Sequence, residues 1–107
     1  ALLVPYVCRY NALAAPARYY EISALLDYSP EEGLPLRQGA LDCADALHEL
    51  VEDLHLPSKL KALKVGIKPD HFEEMAVKAI AVARPMANNP RPMDKEACVA
   101  IYREAME

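Results

Sequence analysis

PLRQGALDCADALHELVEDL, residues 35–54, carries the clearest periodicity of the chain. Ala40, Ala44, Leu47, Val51 and Leu54 recur at steps of four and three, the repeat that lines one face of an α-helix. Pro35 suits the first turn of such a helix, where a missing N–H costs no hydrogen bond, and Pro57 closes the segment. The stretch predicts a long central helix ending near Leu54.

The flanking sequence has the same period. In residues 1–10, Leu3, Val7 and Tyr10 form a stripe that Leu2, Tyr6 and Cys8 widen. Pro5 is acceptable near a helix start and would be a kink elsewhere; Asn11 is the expected stop. Pro16 opens a helix to about Leu26, with Tyr19, Ile22, Ser23, Leu25 and Leu26 facing inward and Arg18 and Glu21 outward. Residues 28–33 are a polar turn region. Beyond the central helix, Ser58 is expected to cap a short helix over 59–64, and Gly66 to supply a left-handed stop. Pro69 opens the next helix, whose stripe is Phe72, Met75, Ala76, Ala79, Ile80 and Ala83, with Asp70, Glu73 and Glu74 at its positive end. Asp94 is the expected N-cap of the last helix, whose inner face is Ala97, Cys98, Ile101, Tyr102 and Ala105.

No segment alternates with a period of two over a convincing length. The expected fold is all-α: five to six helices in an orthogonal or bundle-like cluster, with residues 1–107 as a single all-helical domain.

Composition narrows the function classes. A formal charge of −4 argues against nucleic acid as the main partner, and no apolar run approaches the ~20 residues that span a bilayer. Cys8, Cys43 and Cys98 are odd in number and lack Cys-x-x-Cys spacing, which fits neither a disulfide framework nor a zinc site. They read as reduced, buried thiols of a cytoplasmic protein. The chain opens on an apolar helical segment without Met or a capping residue, so residue 1 is not expected to be the natural start.

The least ordinary stretch is Arg84-Pro85-Met86-Ala87-Asn88-Asn89-Pro90-Arg91-Pro92. Its three prolines exclude a continuous helix and predict a stiff loop, since each also restricts the residue before it. Elsewhere, candidate chemistry is incomplete. His48-Glu49-Leu50-Val51-Glu52 puts Glu52 where a zinc helix would need a second His, and His55 lies further along, so a solvated face is expected. His71 in a helix first turn has no evident catalytic partner, and Tyr6, Tyr10, Tyr19 and Tyr20 read as packing residues. A Gly-rich phosphate loop, a Gly-x-Ser-x-Gly elbow and a Cys/His pair with nucleophile spacing are all lacking.

Taken together, several segments resemble the iron-containing alcohol dehydrogenases. Leu2-Leu3-Val4-Pro5-Tyr6-Val7-Cys8-Arg9-Tyr10-Asn11 resembles the family's "LLPHVMRFN" helix, which follows the His-Gly carrying the last metal-ligating histidine. Tyr19-Tyr20-Glu21-Ile22-Ser23 is similar to its "RYAEIA" segment, and Leu56-Pro57-Ser58-Lys59-Leu60 with Val65-Gly66-Ile67 to its "LP..L..LGV" stretch. Asn88-Asn89-Pro90-Arg91, an acidic helix start and Ile101-Tyr102 complete the order.

The resemblance implies the C-terminal helical domain of a two-domain, NAD(P)-dependent oxidoreductase of alcohols and aldehydes, whose Fe2+, or sometimes Zn2+, polarises the substrate oxygen. It implies a partner N-terminal nucleotide-binding domain and metal ligands upstream of Ala1. No ligand role passes to His48, His55 or His71, and this stretch alone is expected to bind no cofactor and to be inactive. A small alcohol or aldehyde is the expected substrate, and a homo-oligomer is compatible with the family. Many members carry a Cys four residues before the Asn of Asn-Pro-Arg; here that position is Pro85. Pro85, Met86 and Asn88 become the expected pocket-lining residues. Asn89 and Arg91 are expected to hold the loop, the amide through backbone hydrogen bonds and the guanidinium through a carboxylate. Two other readings stand beside this one: a free-standing helical interaction module, and the matching domain of a maleylacetate reductase-like enzyme.

Overall fold

Six α-helices and two 3-10 turns make up the computed structural model, which describes residues 1–26 and 35–106, and of Ala83 and Arg84 the backbone alone. The polar turn region expected at 28–33 lies outside the described residues. Helix α1 is Val4–Ala12, α2 Pro16–Leu25, α3 Leu36–Asp53, α4 Phe72–Ile80, α5 Ala83–Ala87 and α6 Lys95–Met106. No strand occurs among the described residues, in line with the all-α reading.

Most boundaries follow local chemistry. Pro5 lies in the first turn of α1 and Pro16 opens α2, both where no intrahelical N–H partner is needed. Pro35 takes the N-cap position of α3, one residue before the helix, and its carbonyl accepts the Gly39 N–H at 3.1 Å. At the other end the Leu56 N–H reaches the Val51 carbonyl and the His55 N–H the Glu52 carbonyl, at 3.1 and 2.9 Å. That double closure is a Schellman ending, with His55 left-handed at φ 59°. The helix therefore stops at His55, before Pro57 can act. Asp94 caps α6 as expected, its carboxylate accepting the Ala97 N–H at 2.8 Å.

Three expectations are corrected. The segment 59–64 is a 3-10 turn, Leu60–Leu63, with Lys59 rather than Ser58 at its cap position and no side-chain cap. Lys64, at φ 55°, supplies its left-handed ending, and Gly66, at φ 77°, turns the chain two residues later. The proline-rich stretch contains the short helix α5. Pro85 is tolerated there because it falls in the first turn, whose N–H groups have no helical acceptors.

Helix α1 is the pivot of the packing: it lies against α3 and α6, and α2 and α4 complete the two sides. On one side Tyr6, Leu60, Phe72, Ile101 and Ala105 form a core with Met75, Val99 and Tyr102 packed round it. On the other, Cys8, Cys43 and Ala44 pack with Tyr19 and Leu47. The buried residues of α2 and α3 are Ser23, Gly39, Ala40, Cys43, Ala44, Ala46 and Val51, nearly all small, so these helices approach closely. The approach leaves larger side chains outside. Leu25 is 83% exposed and Leu54 59%, and Ile22 and Leu26 are also exposed, contrary to the inward face expected for α2 and the end of α3.

Candidate functional site

The last turn of α1 and the loop at 89–92 are 78 residues apart in sequence and locked together in space. The side-chain amides of Asn11 and Asn89 pair reciprocally. Asn11 Nδ2 donates to Asn89 Oδ1 at 2.8 Å, and Asn89 Nδ2 donates to Asn11 Oδ1 at 2.9 Å. The second hydrogen of Asn89 Nδ2 goes to the Arg91 carbonyl at 2.6 Å, which fixes the bend through Pro90. Asn11 is buried, so losing either partner would leave an amide without compensation. Burial raises the phenol of Tyr19, on α2, above its ordinary pKa, and the Asn11 side chain opposes that shift.

Arg91 makes the second tie. Its guanidinium donates to the Tyr10 carbonyl at 2.9 Å and lies 4.0 Å over the Tyr10 ring. The Tyr10 hydroxyl donates to the Pro92 carbonyl. A helix leaves its last four carbonyls without intrahelical donors and favours positive charge beside them, and the Tyr10 carbonyl is one of these in α1. Arg91 thus meets a carbonyl and an aromatic face where a carboxylate was expected; no ion pair of Arg91 occurs among the described residues.

The tie sets the position of the residues just before it. Met86 is half-buried, Pro85 and Asn88 are exposed, and the Asn89 N–H closes back on the Met86 carbonyl at 3.3 Å. These three belong to one short segment carried on a rigid foot. Tyr10 and Asn11, which hold that foot, are by sequence a stripe and a stop residue. A polar residue on an apolar stripe, at a helix end, was the available signal.

The three histidines do not converge. His48 faces Glu52 at 2.9 Å on its own helix and meets the Tyr6 ring edge-on. His55 is exposed at the end of α3, and His71 Nδ1 accepts the Lys68 N–H at 3.1 Å. Among the described residues, no three of His, Cys, Asp or Glu are grouped so that they could hold a metal ion. An open cleft of about 420 Å³ includes Asp70, Glu73, Lys95, Glu96 and Arg103, but Lys95 bonds Glu73 at 2.9 Å. That hydrogen bond pulls the Glu73 carboxyl below its usual range and pushes Lys95 above its own. No described helix is long and apolar enough to cross a membrane.

Comparison with known proteins matches the chain to a family. The model described as "Fe-containing alcohol dehydrogenase family, C-terminal" covers residues 1–106. The 1,3-propanediol dehydrogenase of Klebsiella pneumoniae is 31% identical over 98% of the chain and 26% of its own length. The sulfoacetaldehyde reductase of Bilophila wadsworthia is 26% identical over 96% of the chain and again 26% of its own. Among solved structures, an alcohol dehydrogenase from Oenococcus oeni superposes with a TM-score of 0.86 at 35% identity, over 97% of this chain and 26% of that one. A 1,3-propanediol oxidoreductase gives 0.88 at 30% identity, over 98% and 26%. The chain thus spans about a quarter of the length of the relatives it matches.

Proposed function

The chain belongs to the iron-containing alcohol dehydrogenase family, and we propose that it serves as the C-terminal helical domain of a metal-dependent, NAD(P)-linked alcohol dehydrogenase or aldehyde reductase. Residues 1–107 form one helical domain in this reading, working in the cytoplasm against a nucleotide-binding domain. Together they enclose a small alcohol or aldehyde. Fe2+ or Zn2+ supplies Lewis-acid polarisation of the substrate oxygen in such an enzyme, and NAD(P) supplies or accepts the hydride. Among the described residues no three of His, Cys, Asp or Glu are grouped so that they could hold a metal ion, and in this reading the ligands come from the other domain.

What the chain contributes is a wall. A hydride acceptor must be kept from water and held in one orientation, and a loop that moved would do neither. The observation that carries the reading is the double tie of Asn89 to Asn11 and Arg91 to Tyr10, which immobilises the segment bearing Pro85, Met86 and Asn88. Met86 offers a pliable apolar contact, Asn88 a polar one, and Pro85 puts an inert ring where the family resemblance implies a thiol.

The test is NAD(P)H oxidation with a short aldehyde, with and without chelator, by the polypeptide that carries this chain. Met86→Trp should raise KM about tenfold, a loss of about 1.4 kcal/mol, with the helical circular dichroism unchanged. Unaltered kinetics in both Met86→Trp and Asn88→Ala would remove the loop from the pocket. The 107 residues by themselves should neither reduce aldehyde nor hold metal tightly, and chelator-sensitive turnover by them alone would overturn the assignment.

A further inference from the structure

The thiols of Cys8 and Cys43 come from different helices, 35 residues apart, and meet with their sulfurs 3.4 Å apart. Both are free, and both are buried, at 6% and 1% exposure. Next to Cys8 in sequence, Arg9 makes a half-exposed ion pair with Asp45 at 3.3 Å, a second contact between α1 and α3. The pair is not sealed in. It lines an apolar groove of about 350 Å³ whose walls include Leu3, Val7, Tyr19, Ile22 and Leu47.

We propose that Cys8 and Cys43 are a reversible disulfide-forming site that joins α1 to α3 when a small peroxide enters this groove. The proposal does not depend on the dehydrogenase reading. A disulfide spans about 2.05 Å between sulfurs, so the two must close by little more than one ångström. The first thiol, as its thiolate, attacks a peroxide oxygen; the O–O bond breaks, leaving a sulfenic acid and hydroxide. The second thiol then attacks the sulfenic sulfur, the S–S bond forms, and the departing oxygen leaves as water with the remaining proton. Two thiols are oxidised by two electrons and one hydrogen peroxide becomes two waters.

Burial raises the pKa of both thiols, Cys8 to about 12. The thiolate is accordingly scarce, and the site responds to sustained oxidant rather than to traces. Asn11 lies one turn beyond Cys8 on α1, so the bond would tie α3 covalently to the helix that carries the Asn89 clamp.

The three cysteines fall on three tryptic peptides, those ending at Arg9, Lys59 and Arg103, which makes the test direct. The reduced protein is treated with hydrogen peroxide, its remaining thiols are alkylated under denaturing conditions, and the digest is mapped without reductant. The expected result is near-complete loss of alkylatable Cys8 and Cys43, a linked peptide lighter by two hydrogens that dithiothreitol dissolves, and an unlinked Cys98. Cys98→Ala should retain the link and Cys8→Ala abolish it; if Cys8→Ala does not fold, the wild-type map decides alone. Full alkylation of both thiols after peroxide, overoxidation of either without a link, or pairing through Cys98 would each overturn the proposal.

Discussion

The two sides of α1 are packed by different means. Towards α4 and α6 the space is filled by large side chains: Phe72 is 2% exposed, Tyr6 and Leu60 4%, Ile101 6%, and the Tyr102 ring lies 5.9 Å from that of Phe72. Towards α2 and α3 the buried residues are Ser, Ala, Gly and Cys with a single Val51, and Tyr19 and Leu47 are only partly buried, while Ile22, Leu25, Leu36, Leu50 and Leu54 remain outside. One side is a closed core. The other is a close helix contact with an apolar surface still to be covered. Small residues maximise backbone approach but remove little apolar area from water, so their side contributes less of the burial that stabilises a fold.

The sharpest way to break that contrast is to truncate both sides. Phe72→Ala should cost about 3–5 kcal/mol, while Leu25→Ala should change stability by less than about 0.5 kcal/mol, in urea unfolding of the chain. Comparable losses would mean that the α2–α3 side is as closed as the other.

Next in size is the tie between α1 and the loop at 89–92. Asn11→Ala and Asn89→Ala should each cost about 1–3 kcal/mol by stranding the partner amide. The double variant should fall short of the sum, because the second substitution removes a group already stranded. Additive losses in the same unfolding assay would show that the two amides act independently.

An alkaline titration reads the buried thiols and phenols, which lie on both sides. Burial holds Cys8 at about 12 and raises Cys43, against an ordinary value of 9.0. Above pH 9 the unfolded chain releases thiol protons that the folded chain keeps, so these groups lower stability as pH climbs from 9 towards 12 and have no effect below 9. The phenols of Tyr19 and Tyr102, also raised by burial, add to the trend. The urea midpoint should therefore fall between pH 9 and 11, less steeply in Cys8→Ala than in the parent chain.

The smallest effect is at the end of α3, where His55 occupies the left-handed position that glycine adopts without strain. His55→Gly should stabilise the chain by about 0.5–1 kcal/mol, measured the same way. A loss instead would mean that the imidazole makes a contact worth more than the backbone strain it imposes.

How much of this was legible beforehand follows the range of the interactions. Helices, the stripes of α1, α4 and α6 and the Asp94 cap depend on residues three or four apart and are readable as such, whereas the inward face expected for α2 is exposed. Segment order was enough to indicate the family. Where two local rules competed, the reading slipped. Lys64 rather than Gly66 ends the first 3-10 turn, and Pro85 sits inside a short helix because a first turn tolerates it. The prolines mark the candidate loop, but its foot escapes the sequence: Asn11, polar on an apolar stripe, hints at a partner, and no local rule says that the partner lies about 80 residues away.

By itself, then, the sequence determined an all-helical chain, the approximate span of its helices, and its kinship. Helical period, capping and proline geometry act over a single turn and are written in adjacent residues. Only the tertiary structure decided that Asn11 meets Asn89, that Arg91 meets Tyr10 rather than a carboxylate, and that Cys8 meets Cys43. Those meetings depend on how far one helix slides and rolls against another. A shift of one residue along a helix turns a side chain by about 100° and carries it off the contact.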